Sequence, residues 1–153
     1  MAKKKISVAA AKAKGRKFQQ WVAEKISQLT GFEYGSSGED KPIESRPMGQ
    51  NGVDVRMESQ VLKAFPFSVE CKRQEAWAIH SWIEQAKQNR IDGTDWLLFC
   101  KRSRQDPIVV MDADAFFQIL TVKKQAEEGR KGAIKLMGET DIPQEDANSK
   151  TNG

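Results

Sequence analysis

The side chains of Asp54, Glu70 and Lys72 are the groups in this sequence whose types and spacing can do chemistry together. In Gly52-Val53-Asp54-Val55-Arg56-Met57, apolar Val53, Val55 and Met57 alternate with Asp54 and Arg56. In Phe67-Ser68-Val69-Glu70-Cys71-Lys72, Phe67, Val69 and Cys71 alternate with Ser68, Glu70 and Lys72. A period of two is that of a strand, so the pattern predicts a β-hairpin with the charged groups on one face and the apolar groups in a core. Two carboxylates held close together repel each other unless positive charge lies between them, so this spacing asks for a divalent cation with an amine alongside. The alternative is a solvated salt-bridge face on an amphipathic hairpin.

The elements that must position these groups follow from periodicity and turn chemistry. Residues 7–29 read as a helix with Phe18, Trp21, Val22, Ile26 and Leu29 on one stripe, ended by Gly31. A short strand at residues 32–34 and an exposed loop at 35–42 come next. A second loop, Ser45-Arg46-Pro47-Met48-Gly49-Gln50-Asn51-Gly52, leads straight to Asp54 and brings its polar groups close to that carboxylate. Ile79, Trp82, Ile83 and Ala86 recur at helical spacing over residues 79–90. Trp96-Leu97-Leu98-Phe99-Cys100 is a continuous apolar run, as in a central strand covered on both sides, where an acid cluster on an exposed face would need a reason. Pro107 opens another strand through Val110. Asp112 or Asp114 can cap a last helix carrying Phe116, Phe117, Ile119 and Leu120, which should fade near Gly129. The order predicts an α/β domain, a mixed sheet with helices on its faces.

At 153 residues the chain suits one domain. Lys and Arg number 25 against 21 Asp and Glu, a net charge of +4, and the excess is concentrated at the start: Lys3, Lys4, Lys5, Lys12, Lys14, Arg16, Lys17 and Lys25 precede or surround the lone acid Glu24. Such a segment is either a solvated tail or a binder of phosphates through counterion release. Cys71 and Cys100 are the two cysteines, both in apparent strands and without zinc-ligand spacing, which suits reduced thiols in an intracellular protein. His80, the lone histidine, has no partner in the sequence for metal binding. No apolar run approaches about 18 residues, so a soluble, cytoplasmic protein with no membrane partner is expected. No Gly-rich phosphate loop or nucleophilic triad is present, and no small-molecule cofactor is expected. The segment from Gly138 onward is polar, with almost nothing to bury, and reads as a disordered tail.

Asp54, fifteen intervening residues and Glu70-x-Lys72 resemble the motif of the PD-(D/E)xK nuclease superfamily, with Val53 where the proline of that name would stand. Within it, Lys14-Gly15-Arg16-Lys17-Phe18-Gln19-Gln20-Trp21 is similar to the start of archaeal-type Holliday junction resolvases and their phage relatives. There a Lys-Gly pair precedes a helix bearing a metal-binding glutamate, a position held here by Gln19. The resemblance spans about residues 14–120 and is strongest over 45–85.

The resemblance implies a restriction-endonuclease-like mixed sheet flanked by helices, with residues 1–13 as a basic arm, 14–137 as the nuclease domain and 138–153 as the tail. It implies that Asp54, Glu70 and the backbone carbonyl of Cys71 hold Mg²⁺, with Mn²⁺ able to substitute, while Lys72 orients or helps deprotonate the attacking water. Gln19 either offers its amide oxygen to the metal or its water, or is a border residue of the helix; Glu44 is the other candidate for the third acid. Ser45 and Arg46 correspond to a serine and a basic residue that resolvases carry before the catalytic strand, and Arg46 can grip a phosphate. Lys14, Arg16 and Lys17 are further DNA contacts, Arg73 a flanking one, and Gln85 matches a helix glutamine that hydrogen-bonds near the site. The activity implied is Mg²⁺-dependent cleavage of branched DNA by a homodimer making paired nicks in four-way junctions. A general duplex or flap endonuclease, and a non-catalytic DNA-binding module with a decayed site, are the alternatives.

Overall fold

The computed structural model describes residues 6–139; of the expected tail, Gly138 and Glu139 instead end the last helix, and residues 140–153, like Lys3, Lys4 and Lys5, lie outside the described residues. Helix α1, Val8–Thr30, starts where the Ser7 hydroxyl accepts the Ala10 N–H at 3.2 Å. It stops at Gly31, whose φ of 78° turns the chain and whose N–H closes on the Ser27 carbonyl. Residues 8–13 of the expected arm therefore belong to this helix. Its buried stripe is Phe18, Gln19, Val22, Ala23 and Ile26.

Strands β1 (Tyr34–Gly35), β2 (Ile43–Ser45) and β3 (Val55–Met57) form one small sheet, with β1 parallel and β3 antiparallel to β2. Helix α2, Ser59–Ala64, then carries the chain to β4, Phe67–Arg73. The second sheet has the order β4-β5-β6, with β5 (Asp95–Lys101) in the centre, parallel to β4 and antiparallel to β6 (Ile108–Val110). Helix α3, Ile79–Gln88, crosses between β4 and β5. The fold is thus α/β, two mixed three-stranded sheets flanked by helices, consistent with the restriction-endonuclease-like class.

The hairpin expected from the alternation is not formed. With α2 inserted, β3 and β4 lie in different sheets, and the two meet through the Asp54 N–H, which donates to the Val69 carbonyl at 2.9 Å. Asp54 itself precedes β3. The apolar half of the pattern holds in part: Val53, Val55, Met57 and Val69 are buried, while Phe67 and Cys71 are half-buried. The opposite face of β4 is not open, however, because Ser68 and Glu70 are buried too, Ser68 by bonds to Thr94 and the Ile91 N–H. A layer built on α1, with Val22, Ile43, Val55 and Val61, covers one side. A second layer, where Trp82 and Ala86 of α3 meet Trp96, Leu98 and Cys100, lies on the other.

Burial pushes the Cys100 thiol up to about 11 and raises Cys71 well above the usual thiol range, and both are free thiols. Asp112 accepts from the Trp96 indole N–H at 2.9 Å.

The last helix, α4, spans Ala113–Glu139 and is a unit described by itself. It does not fade at Gly129. Strong helix formers on both sides of that glycine, and a Lys124–Glu128 pair one turn apart, offset a cost of about 1 kcal/mol for one glycine. Among the described residues no helix is long and apolar enough to cross a membrane.

Candidate active site

The site lies where the two sheets part. Two residues beyond Val69, whose carbonyl takes the Asp54 N–H, the Cys71 N–H has no strand carbonyl to meet and donates to the Asp54 Oδ2 at 2.7 Å. A residue's N–H and C=O leave an extended strand on the same side, so the Cys71 carbonyl also faces Asp54. Asp54 is fixed from the other direction by its own carbonyl, which accepts the Arg46 N–H at 2.8 Å. One step along β4, Glu70 Oε1 pairs with Lys72 Nζ at 2.9 Å, and that ammonium donates to Gln85 Oε1 on α3 at 2.8 Å. Asn89 Nδ2, one helical turn after Gln85, donates to Glu70 Oε2 at 3.4 Å.

Asp54, Glu70, Cys71, Lys72 and Gln85 line one cavity of about 390 Å³ together with Gln19, Gly15 and Lys12 of α1 and the Met48–Gln50 part of the loop after β2. Lys12, Gly15 and Gln19 come at helical spacing, so a single edge of α1 forms that wall. Gly15 is there for space. A Cβ on it would stand 2.9 Å from the Met48 methyl, which therefore closes the cavity against the helix backbone.

Gln19 is 2% exposed, and its Oε1 is buried without a hydrogen-bond partner. Its side chain also hydrogen-bonds toward Asp54 and favours the ionised carboxylate. An orphaned buried oxygen costs on the order of 1–3 kcal/mol, and a cation or a cation-held water within the cavity would satisfy it. Asp54, Glu70, the Cys71 carbonyl and Gln19 Oε1 make an all-oxygen donor set, the kind that hard divalent cations prefer. Among the described residues no cluster of three His, Cys, Asp or Glu side chains could hold a metal. The set therefore fits a cation only when the amide and the backbone oxygen take part.

Burial and, after it, the charge of Glu70 raise the Asp54 carboxyl from 3.8 to about 6; the Cys71 N–H, Lys72 and Gln19 pull the other way. The folded protein thus keeps a proton that the unfolded chain releases near pH 4. Its stability falls as pH rises through that window and levels off above about 6, by on the order of 1–3 kcal/mol from this group. Melting curves between pH 4 and 7.5, without divalent cations, should show a decline that Asp54→Asn removes. A pH profile identical in the two proteins would contradict this electrostatic picture.

The other residues singled out by sequence fall into separate places. Arg16, Ser45 and Arg46 line a second cavity that shares Lys12 and Met48 with the acid site. Ser45 is the last residue of β2 rather than part of a loop, and its hydroxyl meets Tyr34 Oη at 3.2 Å. Arg46 lies across Gly52, where a Cβ would come within 2.6 Å of its Nη1. Lys14 and Lys17 line a third cavity with Arg73, which borders the acid site as well. Gln85 is in the acid site, bound to Lys72.

Glu44 is not brought to this group. Its carboxylate accepts from Arg56 Nε at 3.1 Å and from the Lys41 N–H at 3.3 Å, and Arg56 holds it below the usual carboxylate range. Asn89 was not anticipated; its place four residues after Gln85 on the same helix face is the signal that points to it.

A family model described as phage putative PDDEXK endonuclease matches residues 10–136. No curated protein and no solved structure matches the chain.

Proposed function

Because the chain belongs to the phage putative PDDEXK endonuclease family, and so to the hydrolases of phosphodiester bonds in DNA, we propose that it is a Mg²⁺-dependent, structure-selective endonuclease that resolves four-way junctions. The observation that carries this reading is the convergence of Asp54, Glu70, Lys72 and the unpartnered Gln19 oxygen in one cavity flanked by basic cavities on both sides.

When bound, Mg²⁺ supplies an activated water and shields the charge of the scissile phosphate, with Mn²⁺ as its substitute. Asp54, Glu70, the Cys71 carbonyl and Gln19 would hold it. Lys72, tethered between Glu70 and Gln85, keeps its ammonium beside the reacting phosphate, where it orients the attacking water and stabilises the charge that develops. Because both tethers are made before substrate arrives, little reorganisation is needed at the moment of reaction. Lys12, Arg16 and Arg46 on one side, and Lys14, Lys17 and Arg73 on the other, neutralise backbone phosphates, with Ser45 beside Arg46 and the N-terminal lysines as further contacts.

Two symmetric cuts call for two sites related by a two-fold axis, hence a homodimer. The Phe116, Phe117, Ile119 and Leu120 side chains of α4, between 43% and 63% exposed, supply apolar surface for such an association.

Gln19, in place of the third acid, is the observation that favours the second reading, a DNA-binding module with a decayed site. Incubation with Mg²⁺ and a synthetic four-way junction, beside a linear duplex of equal length, separates the readings. Paired nicks confined to the junction are expected. Equal cutting of both substrates would make the protein a general endonuclease, and salt-sensitive binding without cutting in Mg²⁺ or Mn²⁺ would leave only the module.

A further inference from the structure

The two basic cavities beside the acid site are chemically unlike. The one reached through Lys12 and Met48 carries no aromatic residue and is lined by Arg16, Arg46 and serine hydroxyls beside Pro47. The one reached through Arg73, of about 480 Å³, sets an aromatic wall among cations: Trp21 stands with Lys14, Lys17, Arg73 and Lys101, and Asp106 is the acidic residue lining it. None of those four basic side chains is in an ion pair among the described residues. Arg73 and Lys101 are register partners on β4 and β5, so two positive charges stand on neighbouring strands, with Asp106 in the lining and Glu75 near Arg73 as the acids around them. Repulsion of that kind is relieved by an anion.

Trp21 is 39% exposed on the same helix edge. Its indole is fixed by the buried Phe18, one turn earlier, whose ring stacks at 6.0 Å between centroids with 19° between planes. The Lys25 ammonium stands 5.7 Å from the indole centroid, a cation on a π-face that is open to solvent. An exposed aromatic platform in a ring of unpaired cations matches the pattern that binds unpaired nucleotides, where bases stack and phosphates meet lysine and arginine. Bases inside a duplex offer no free π-face, so a paired strand has no use for Trp21.

We propose that this cavity holds an unpaired stretch of the DNA substrate, with one base stacked on Trp21 and the adjoining phosphates on Lys14, Lys17, Arg73 and Lys101. The polar cavity on the other side of the acid site then carries paired DNA, and cleavage falls where a strand leaves its duplex. The stacked base takes the face now under Lys25, whose ammonium is released to pair with a phosphate. The inference rests on the nuclease reading for its substrate and adds to it that bases at the branch point, beside the cut, are unpaired in the bound DNA.

Binding of the full chain to fluorescently labelled splayed-arm DNA, a 15-mer of thymidine and a blunt duplex, all without divalent cations, tests it. Trp21→Ala should weaken the splayed-arm and thymidine complexes about 5- to 150-fold and change duplex binding less than about twofold. Trp21→Phe should restore most of the loss. Lys101→Gln, a substitution at the end of β5 that leaves the Phe18 packing alone, should lower the salt slope by about 0.7 for the splayed-arm DNA and the thymidine oligomer and leave that of the blunt duplex unchanged. That variant decides the matter if Trp21→Ala does not fold. Equal losses on all three DNAs, or none, would overturn the proposal. Selective loss in a protein that cuts nothing would instead remove the nuclease reading and leave this cavity's role standing, and cutting without that selectivity would do the reverse.

Discussion

Asp54→Asn is expected to lower cleavage by about 10²–10³-fold or more while DNA binding stays within about twofold of the parent protein. The substitution is nearly isosteric, and the remaining side-chain oxygen can still accept the Cys71 N–H that now lies 2.7 Å from Oδ2. What disappears is the negative charge that, on the proposed reading, would draw a divalent cation into the cavity together with Glu70. The same charge is a burden when no cation is present, since burial and Glu70 together raise the Asp54 carboxyl to about 6. The variant should therefore melt higher than the parent at pH 7.5 in chelator, by on the order of 1–3 kcal/mol, and equally at pH 4, where the folded parent is already protonated. Added Mg²⁺ should stabilise the parent and not the variant. A variant that cuts normally would remove Asp54 from the site, and one that melts lower at both pH values would show that its effect is structural.

This expectation was accessible from the sequence because alternation over six residues is enough to place side chains on a face, and both charged strand ends showed it. What alternation could not reveal is how the two segments meet. Ser59-Gln60-Val61-Leu62-Lys63-Ala64 is too short to declare a helical period, yet as α2 it converts an apparent hairpin into two sheets joined at Asp54. Ile43-Glu44-Ser45 was silent for a similar reason: three residues, all buried, carry no alternation. That silence matters for Glu44, whose place as a candidate acid depended on a loop near Asp54. On β2 it is paired across the ladder with Arg56, and the guanidinium occupies its carboxylate.

The bounds of helix α1 were legible almost to the residue from its apolar period and its glycine stop, but Trp21 and Leu29, expected on the buried stripe, are exposed, and Gln19 and Ala23 are buried in it instead. The division of its basic residues was not legible. Lys14 and Lys17 go to one side of the acid site and Arg16 to the other, a consequence of where α1 is rotated against the sheets, which a linear charge count does not contain. The same rotation puts Gln19 over the acids with its oxygen unpaired.

Lys72→Met separates two consequences of a single ammonium. Glu70 is 2% exposed and leans on Lys72 at 2.9 Å, with Asn89 a weaker contact at 3.4 Å, so removing the lysine leaves a buried carboxylate almost uncompensated. Breaking one side of such a pair costs about 3–5 kcal/mol. Cleavage should fall by about 10²–10³-fold or more, because no other ammonium is tethered at that point by both Glu70 and Gln85. The double variant Lys72→Met with Glu70→Gln should regain most of the lost stability, since the orphaned charge is gone, and regain no cleavage at all. Urea unfolding and the junction assay on the three proteins measure both quantities. If the double variant is as unstable as Lys72→Met alone, the cost lies in packing rather than in charge. If Lys72→Met keeps more than about a tenth of the parent rate, the positive charge that the reaction uses comes from one of the flanking cavities, and Arg73, which borders both the acid site and the aromatic cavity, is the next residue to replace.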